Sequence, residues 1–183
     1  MEIKALDLPG AYLLKPRRFG DARGFFVELY NKRTLAAHGL QFDFVQDNVS
    51  LSAQSGTIRG LHFQPPPSAQ AKLVSVLSGA ILDVFVDIRA GSPTYGRHVA
   101  IELTSENGLQ ALVPHGFAHG FCSLANETLV QYKVDAHYDP ERDLGLLWND
   151  PDLGIEWPLE GRIPVMSDKD QKLPRLAEIE TPF

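Results

Sequence analysis

The heptapeptide IRGLHFQ, residues 58–64, sets a guanidinium (Arg59) and an imidazole (His62) into an otherwise apolar run. A strand that only builds a core has no use for either group. An imidazole titrates near pH 6.5 and can serve as a general base at neutral pH. A guanidinium offers a planar fork that matches phosphate. Further along, Lys72 could hold a developing oxyanion, and Tyr132, with a phenol that titrates near 10, could return a proton to a strongly basic carbanion. Base, oxyanion holder and acid are the three groups needed to move a proton at a carbon next to a carbonyl. Each also has a plain structural reading. His62 could be a hydrogen-bonded core histidine, Lys72 an edge lysine with a buried stem, and Tyr132 a packed strand tyrosine. Residue types and spacing leave both readings open.

Other chemistries find less support. A β-barrel metal site wants an H-x-H pair, a nearby carboxylate and a third histidine. Here Gln64 stands two places after His62, and PPPSAQAK follows without a carboxylate, although VPHGFAHGF holds His115 and His119. Cys122 follows Phe121 in an apolar run and reads as a small core residue. Neither a G-x-S-x-G elbow nor a G-x-x-x-x-G-K loop is present, which argues against covalent and P-loop chemistry.

The elements that must position these groups are short strands. FDFVQDNVSLS, TIRGLHFQ, AKLVSVLSG, AILDVFVDIR, RHVAIELT, LQALVPHGFAHGFCSL and TLVQYKVD are rich in Val, Ile, Leu, Phe and Thr, with Gly, Pro, Ser and Asn between them. In ILDVFVDIR, Ile81, Asp83, Phe85 and Asp87 share one face, and Leu82, Val84, Val86 and Ile88 the other. AYLLKPRRFGDARGFFVELYN holds strand-like pieces broken at Pro16 and GDARG. NKRTLAAHGL reads as a short helix with Asn31 as N-cap and Gly39 at its end. From about residue 150 the chain is Pro-rich and reads as a wrapping tail. Many short strands with one short helix predict an all-β sandwich or jelly roll in a single domain spanning 1–183. Inward positions of a jelly roll converge. Arg23, Glu28, Gln46, Asn48, Arg59, His62, Lys72, Asp83, His119 and Tyr132, all polar and all on or beside predicted strands, are therefore expected around one pocket.

Composition narrows the class further. Hydrophobic residues make up 44% and charged residues 22%, as in ordinary globular domains, and the net charge of −6 argues against nucleic-acid binding. One cysteine fits a reducing compartment. MEIKALDLPG lacks the apolar core of a signal peptide and no apolar run is long enough to span a membrane, so a cytoplasmic location is expected.

The motifs FGDARGFFVE, FVQDN, RGLHFQ, QAKLV, DVFVDIR, SPTYG, VPHGFAHGF, WNDP and SDKD occur in an order and spacing that resembles the dTDP-4-dehydrorhamnose 3,5-epimerase family, over residues from about 15 to 172. The resemblance implies a cupin-like jelly-roll barrel with a few short helices, needing neither metal nor organic cofactor. It implies a homodimer in which an N-terminal segment, about 1–40, is exchanged. The implied reaction inverts C3 and C5 of dTDP-4-dehydro-6-deoxy-D-glucose, through proton removal next to the C4 ketone. By motif, His62 resembles the proton acceptor, supported by Asp170 of SDKD with Asp83 as a second candidate. Lys72 resembles the enolate holder and Tyr132 the proton donor. Arg23 and Glu28 match nucleotide contacts, often made across the dimer interface. Gln46, Asp47 and Asn48 match pocket positions, and Arg59 a diphosphate ligand. His119, Asp143 and Lys169 complete the binding set, with Tyr138 and Phe19 as stacking partners for thymine. Three departures bear on specificity: Ala71 where the family usually has Gly, Asp143 where Glu is common, and KVDAHY after Gln131 and Tyr132 in place of a KTT type. They leave open a single-centre epimerase acting at C5 or C3 only. A metal-dependent cupin and a non-catalytic nucleotide-sugar binding module are the rival classes.

Overall fold

The computed structural model describes residues 1–183. Four short strands come first: β1 (Glu2–Ala5), β2 (Tyr12–Lys15), β3 (Arg18–Asp21) and β4 (Gly24–Val27). The helix α1 (Lys32–Ala37) follows. Next come β5 (Gln46–Ser52), β6 (Ile58–Phe63), β7 (Lys72–Ser78), β8 (Ala80–Asp87) and β9 (His98–Thr104). The last strands are β10 (Gln110–Val113), β11 (Phe117–Ser123), β12 (Thr128–Val134) and β13 (Leu144–Gly145), with single 3-10 turns at Asp170–Lys172 and Leu176–Glu178.

Six strands form one sheet in the order β1-β2-β10-β7-β12-β5, five form another in the order β13-β6-β11-β8-β9, and β3 pairs with β4 as a separate hairpin. From β5 onward nearly every connection crosses from one sheet to the other, which is the winding of a cupin-like jelly roll. Between the sheets lies a core that includes Val74, Val76, Ile81, Phe85, Ala111, Phe117, Phe121 and Val130. Phe85 and Phe117 meet edge to face, with centroids 6.0 Å apart.

The alternation in β8 explains the architecture. Ile81 and Phe85 point into the inter-sheet core, while Val84, Val86 and Ile88 join Leu61, Phe63 and Leu146 on the outer face of the five-stranded sheet. That outer face is apolar because the tail covers it with Leu153, Leu176 and Phe183. The six-stranded sheet is covered at one end by α1 through Leu35, over Leu14, Leu73 and Leu112. The helix starts where Asn31 accepts hydrogen bonds from the N–H groups of Arg33 and Thr34, and it stops at Gly39, whose φ of +79° suits glycine.

Two expected strands end differently. LQALVPHGFAHGFCSL is two strands on opposite sheets, parted at Pro114 to Gly116, where proline lacks a donor and Gly116 takes φ +81°. Phe42 and Phe44 do not extend β5. They pack with Tyr30 beside α1 instead. No helix is long and apolar enough to cross a membrane.

Candidate active site

The site begins with a bulge. On the β6–β11 ladder His62 lies opposite His119 and Arg59 opposite Phe121, so three steps on β6 match two on β11. Residues three apart on a regular strand face opposite sides. The extra residue turns Arg59 and His62 to the same side, and both line one cavity of about 460 Å³. Glycine at two positions makes this possible. A Cβ on Gly60, at φ +116°, would sit 2.6 Å from Gly120 Cα, and a Cβ on Gly120 would sit 2.6 Å from Arg59 O.

His62 projects from the five-stranded sheet, whereas Lys72 and Tyr132 project from β7 and β12 of the six-stranded sheet, and all three line the cavity. His62 Nε2 is 2.8 Å from Asp170 Oδ1, and Asp170 Oδ2 accepts from the Gly60 N–H at 3.2 Å. The Asp170 N–H in turn donates to Ser167 Oγ at 3.1 Å. Burial works to raise the Asp170 carboxyl, but its hydrogen bonds from His62, Gly60 and Ser167 carry it below the ordinary carboxylate value. With Asp170 ionised, Nε2–H of His62 must donate, which leaves the lone pair on Nδ1. The tail thus supplies the group that fixes the tautomer of a strand residue.

A second pair lies deeper. His119 Nε2 is 2.8 Å from Asp83 Oδ1, with side-chain exposures of 6% and 0%, against 31% and 6% for His62 and Asp170. Asp83 Oδ2 is buried without a protein partner. Burial pushes the His119 imidazole below its ordinary value, helped by the charges of Lys72 and His62 and opposed by Asp83. Asp83, the second candidate for supporting His62, therefore serves His119. Lys72 Nζ lies 3.4 Å from His62 O. Burial lowers Lys72 to about 8, opposed by Asp143 and Asp83. Burial also raises the Tyr132 phenol, with Asp143 and Tyr138 adding to the shift and Arg59 opposing it.

A second lobe of about 360 Å³ shares His62, Lys72, Tyr132 and Asp143 with the first and adds Gln46, Asn48 and Tyr138. Gln46 Nε2 donates to Asn48 Oδ1 at 2.8 Å, and Gln46 Oε1 accepts the Tyr138 N–H at 3.0 Å. The Asp143 carboxylate accepts from Tyr138 OH at 3.1 Å and from Lys169 Nζ at 2.5 Å. Arg59 donates to Leu51 O at 2.9 Å at the rim.

Four expected residues stand elsewhere. Asp47 does not line the pocket. The period of two that turns Gln46, Asn48 and Ser50 inward turns Asp47 outward, onto Lys133 Nζ at 2.6 Å. Arg23 pairs with Asp21 in the β3–β4 turn, and Glu28 accepts from Asn31 Nδ2 at 3.1 Å; neither lines either lobe of the cavity. Phe19 is exposed on the same hairpin. Conversely, Ser50, Thr57, Val165, Met166 and Ser167 line the first lobe without having been singled out. Alternation along β5 would have found Ser50. Residues 165–167 lie in the tail, which has no periodicity to read.

Gln64 is occupied by the neighbouring loops: it donates to Ser68 O at 2.7 Å and accepts the Asp139 N–H at 3.0 Å. No group of three or more His, Cys, Asp or Glu side chains is placed to hold a metal ion. Cys122 is buried away from the cavity, and burial raises its thiol to about 11.

Comparison with known proteins identifies the family. The sequence model of the family described as dTDP-4-dehydrorhamnose 3,5-epimerase matches residues 5–178. A dTDP-4-dehydrorhamnose 3,5-epimerase of Sinorhizobium fredii is 49% identical over 183 residues, covering 100% of this chain and 93% of that protein. The crystal structure of a Bacillus anthracis dTDP-4-dehydrorhamnose 3,5-epimerase with TDP and PPi bound is 52% identical, with a TM-score of 0.92 over 95% of this chain and 98% of that one. A Legionella pneumophila dTDP-6-deoxy-D-glucose-3,5-epimerase, in complex with dTDP-4-keto-L-rhamnose, is 42% identical, with a TM-score of 0.92 over 98% of this chain and 94% of that one. On sequence, fold and the matched length, the chain belongs to the dTDP-4-dehydrorhamnose 3,5-epimerase family.

Proposed function

We propose that the chain epimerises dTDP-4-dehydro-6-deoxy-D-glucose at C3 and C5 to give dTDP-4-dehydro-L-rhamnose, as an enzyme of dTDP-L-rhamnose biosynthesis. The observation that carries this reading is the placement of His62 and Tyr132 on facing sheets of one cavity with Lys72 beside them. The C4 ketone acidifies the C–H bonds at both C3 and C5. His62, with Nδ1 free and Nε2–H held by Asp170, takes the proton from one face of the sugar. The electron pair moves onto the C4 oxygen, where the Lys72 ammonium meets the developing charge. Tyr132 returns a proton from the opposite face, and the carbon is inverted. Such a cycle runs on the chain's own acid and base.

Arg59 and Lys169 supply cationic groups around the cavity for the diphosphate, and the neutral His119 imidazole a hydrogen-bonding group for the sugar. Asn48 and Gln46 lie towards Tyr138, whose exposed ring suits stacking on a base. Arg23, Glu28 and Phe19 reach the nucleotide of a second copy in a homodimer. What supports the dimer is the unpaired apolar surface on the hairpin, where Phe25 and Phe26 are 59% and 69% exposed, and on the outer face of β5. A single globular domain working in the cytoplasm is consistent with the one buried thiol.

The test is to run the reaction in heavy water. Deuterium at both C3 and C5 of the product is expected. No exchange at either carbon would refute the reading, and exchange at one carbon alone would make the chain a single-centre epimerase.

A further inference from the structure

Two of the departures noted in the sequence, Ala71 and the KVDAHY segment, meet at one point together with His115, which the reaction does not use. The Ala71 N–H donates to Asp135 Oδ1 at 2.7 Å. His115 Nε2 lies 2.9 Å from Asp135 Oδ2. These residues sit at the ends of three adjacent strands: Ala71 just before β7, His115 just after β10 and Asp135 just after β12. Lys72 is the first residue of β7 and lies between Val113 of β10 and Val134 of β12 in the sheet register. Next to it, Gln70 Nε2 donates to Ala136 O at 2.8 Å.

We propose that Asp135 is a positioning residue for Lys72: its carboxylate, steadied by His115, ties the Ala71 N–H to the end of β12 and so fixes where the Lys72 side chain enters the cavity. A backbone amide at a strand end has no ladder partner beyond it, so an unanchored start to β7 would fray into water. Lys72 would then be hydrated and displaced, and its hydrogen bond to the enolate oxygen would lengthen. The half-exposed His115 supports the tie from outside. Asp135 drives its imidazole above the ordinary value through their hydrogen bond, against burial.

The inference rests on the reading of Lys72 as the enolate holder, so its test includes a measurement that needs no substrate. Lys72 is titrated by following its Cε–Hε correlation in 13C-lysine-labelled protein, in wild type, Asp135→Ala and Asp135→Asn. The groups acting on the ammonium (Asp83 from β8, His119 from β11, His62 from β6 and Asp143 ahead of β13) remain in every variant. In Asp135→Ala, the Lys72 midpoint should climb from about 8 toward the ordinary 10.5 as water reaches the amine, and kcat should fall about tenfold with KM changed less. Asp135→Asn keeps an oxygen for the Ala71 N–H and should restore kcat to within about threefold of wild type. If Asp135→Ala does not accumulate folded, Asp135→Ser, too short to reach Ala71, carries the same expectation.

An unmoved Lys72 midpoint with kcat within twofold of wild type overturns the proposal. So does an Asp135→Asn variant as impaired as Asp135→Ala, because charge rather than the amide anchor would then be at work. Absence of deuterium in the wild-type product would instead count against the epimerase reading and leave the Lys72 titration as the judge of the tie.

Discussion

Two histidines line the cavity directly opposite each other on β6 and β11, each with a 2.8 Å bond to an aspartate, and their surroundings make the two pairs unlike. His62 is 31% exposed and its aspartate arrives from the tail, bonded to Gly60 N–H and Ser167. His119 is 6% exposed, its aspartate is a neighbour in the same sheet, and one oxygen of that aspartate has no protein partner. Distance and residue type do not separate a base from a binding residue here. Solvent access and the second contacts of each carboxylate do. An imidazole that must take a proton needs room for a substrate carbon and a counter-ion that remains ionised, and His62 with Asp170 has both. The buried His119, disfavoured as a cation, suits a neutral hydrogen-bonding role toward the sugar.

Substituting the two histidines should separate the pairs most widely. His62→Gln should lower kcat by about 10² to 10⁴, the range of a lost general base, while His119→Gln should act mainly through KM. Equal kcat losses in the two variants would erase the distinction. Lys72→Met should follow, with kcat reduced about 10² to 10³ for one lost oxyanion partner. Asp170→Asn should reduce kcat about 10 to 10² by releasing the His62 tautomer, with KM nearly unchanged.

The smaller effects concern pH and stability. Because burial lowers Lys72 to about 8 in the free enzyme, kcat/KM should decline above that pH as the ammonium is lost. His119 contributes differently. Its folded value lies below the ordinary 6.5, so under acid conditions the unfolded chain binds a proton that the folded chain does not. Stability should therefore be whole above about pH 6.5 and decline below it, and chemical denaturation of His119→Gln should show a shallower decline. Asp83→Asn should cost about 1 to 3 kcal/mol of stability, through a weakened bond to a buried imidazole.

Much of this was legible in the sequence. Period-two alternation in β8 and the turn residues between strands pointed to two packed sheets, and the jelly-roll winding bears that reading out. The chemistry of their side chains marks His62, Lys72 and Tyr132, and the fold brings them together. Their meeting depends on a bulge between Gly60 and Gly120 that no alternation rule expresses. The motif FVQDN does not distinguish Asp47 from its neighbours, whereas alternation along β5 turns it outward onto Lys133. No motif marks His119 and Asp83 as a pair. The motif resemblance does pair His62 with Asp170, and the two are in contact. Spacing alone does not give that pair, since the contact joins residues far apart in the chain through an irregular tail. Ser167 and Met166 escaped for the same reason.

The most direct test of the account is the rate at which solvent deuterium enters C3 and C5 with His62→Gln, measured against wild type and His119→Gln at saturating substrate. The account predicts that His62→Gln loses exchange at both carbons while His119→Gln still exchanges at both. Undiminished exchange at either carbon in folded His62→Gln would contradict it.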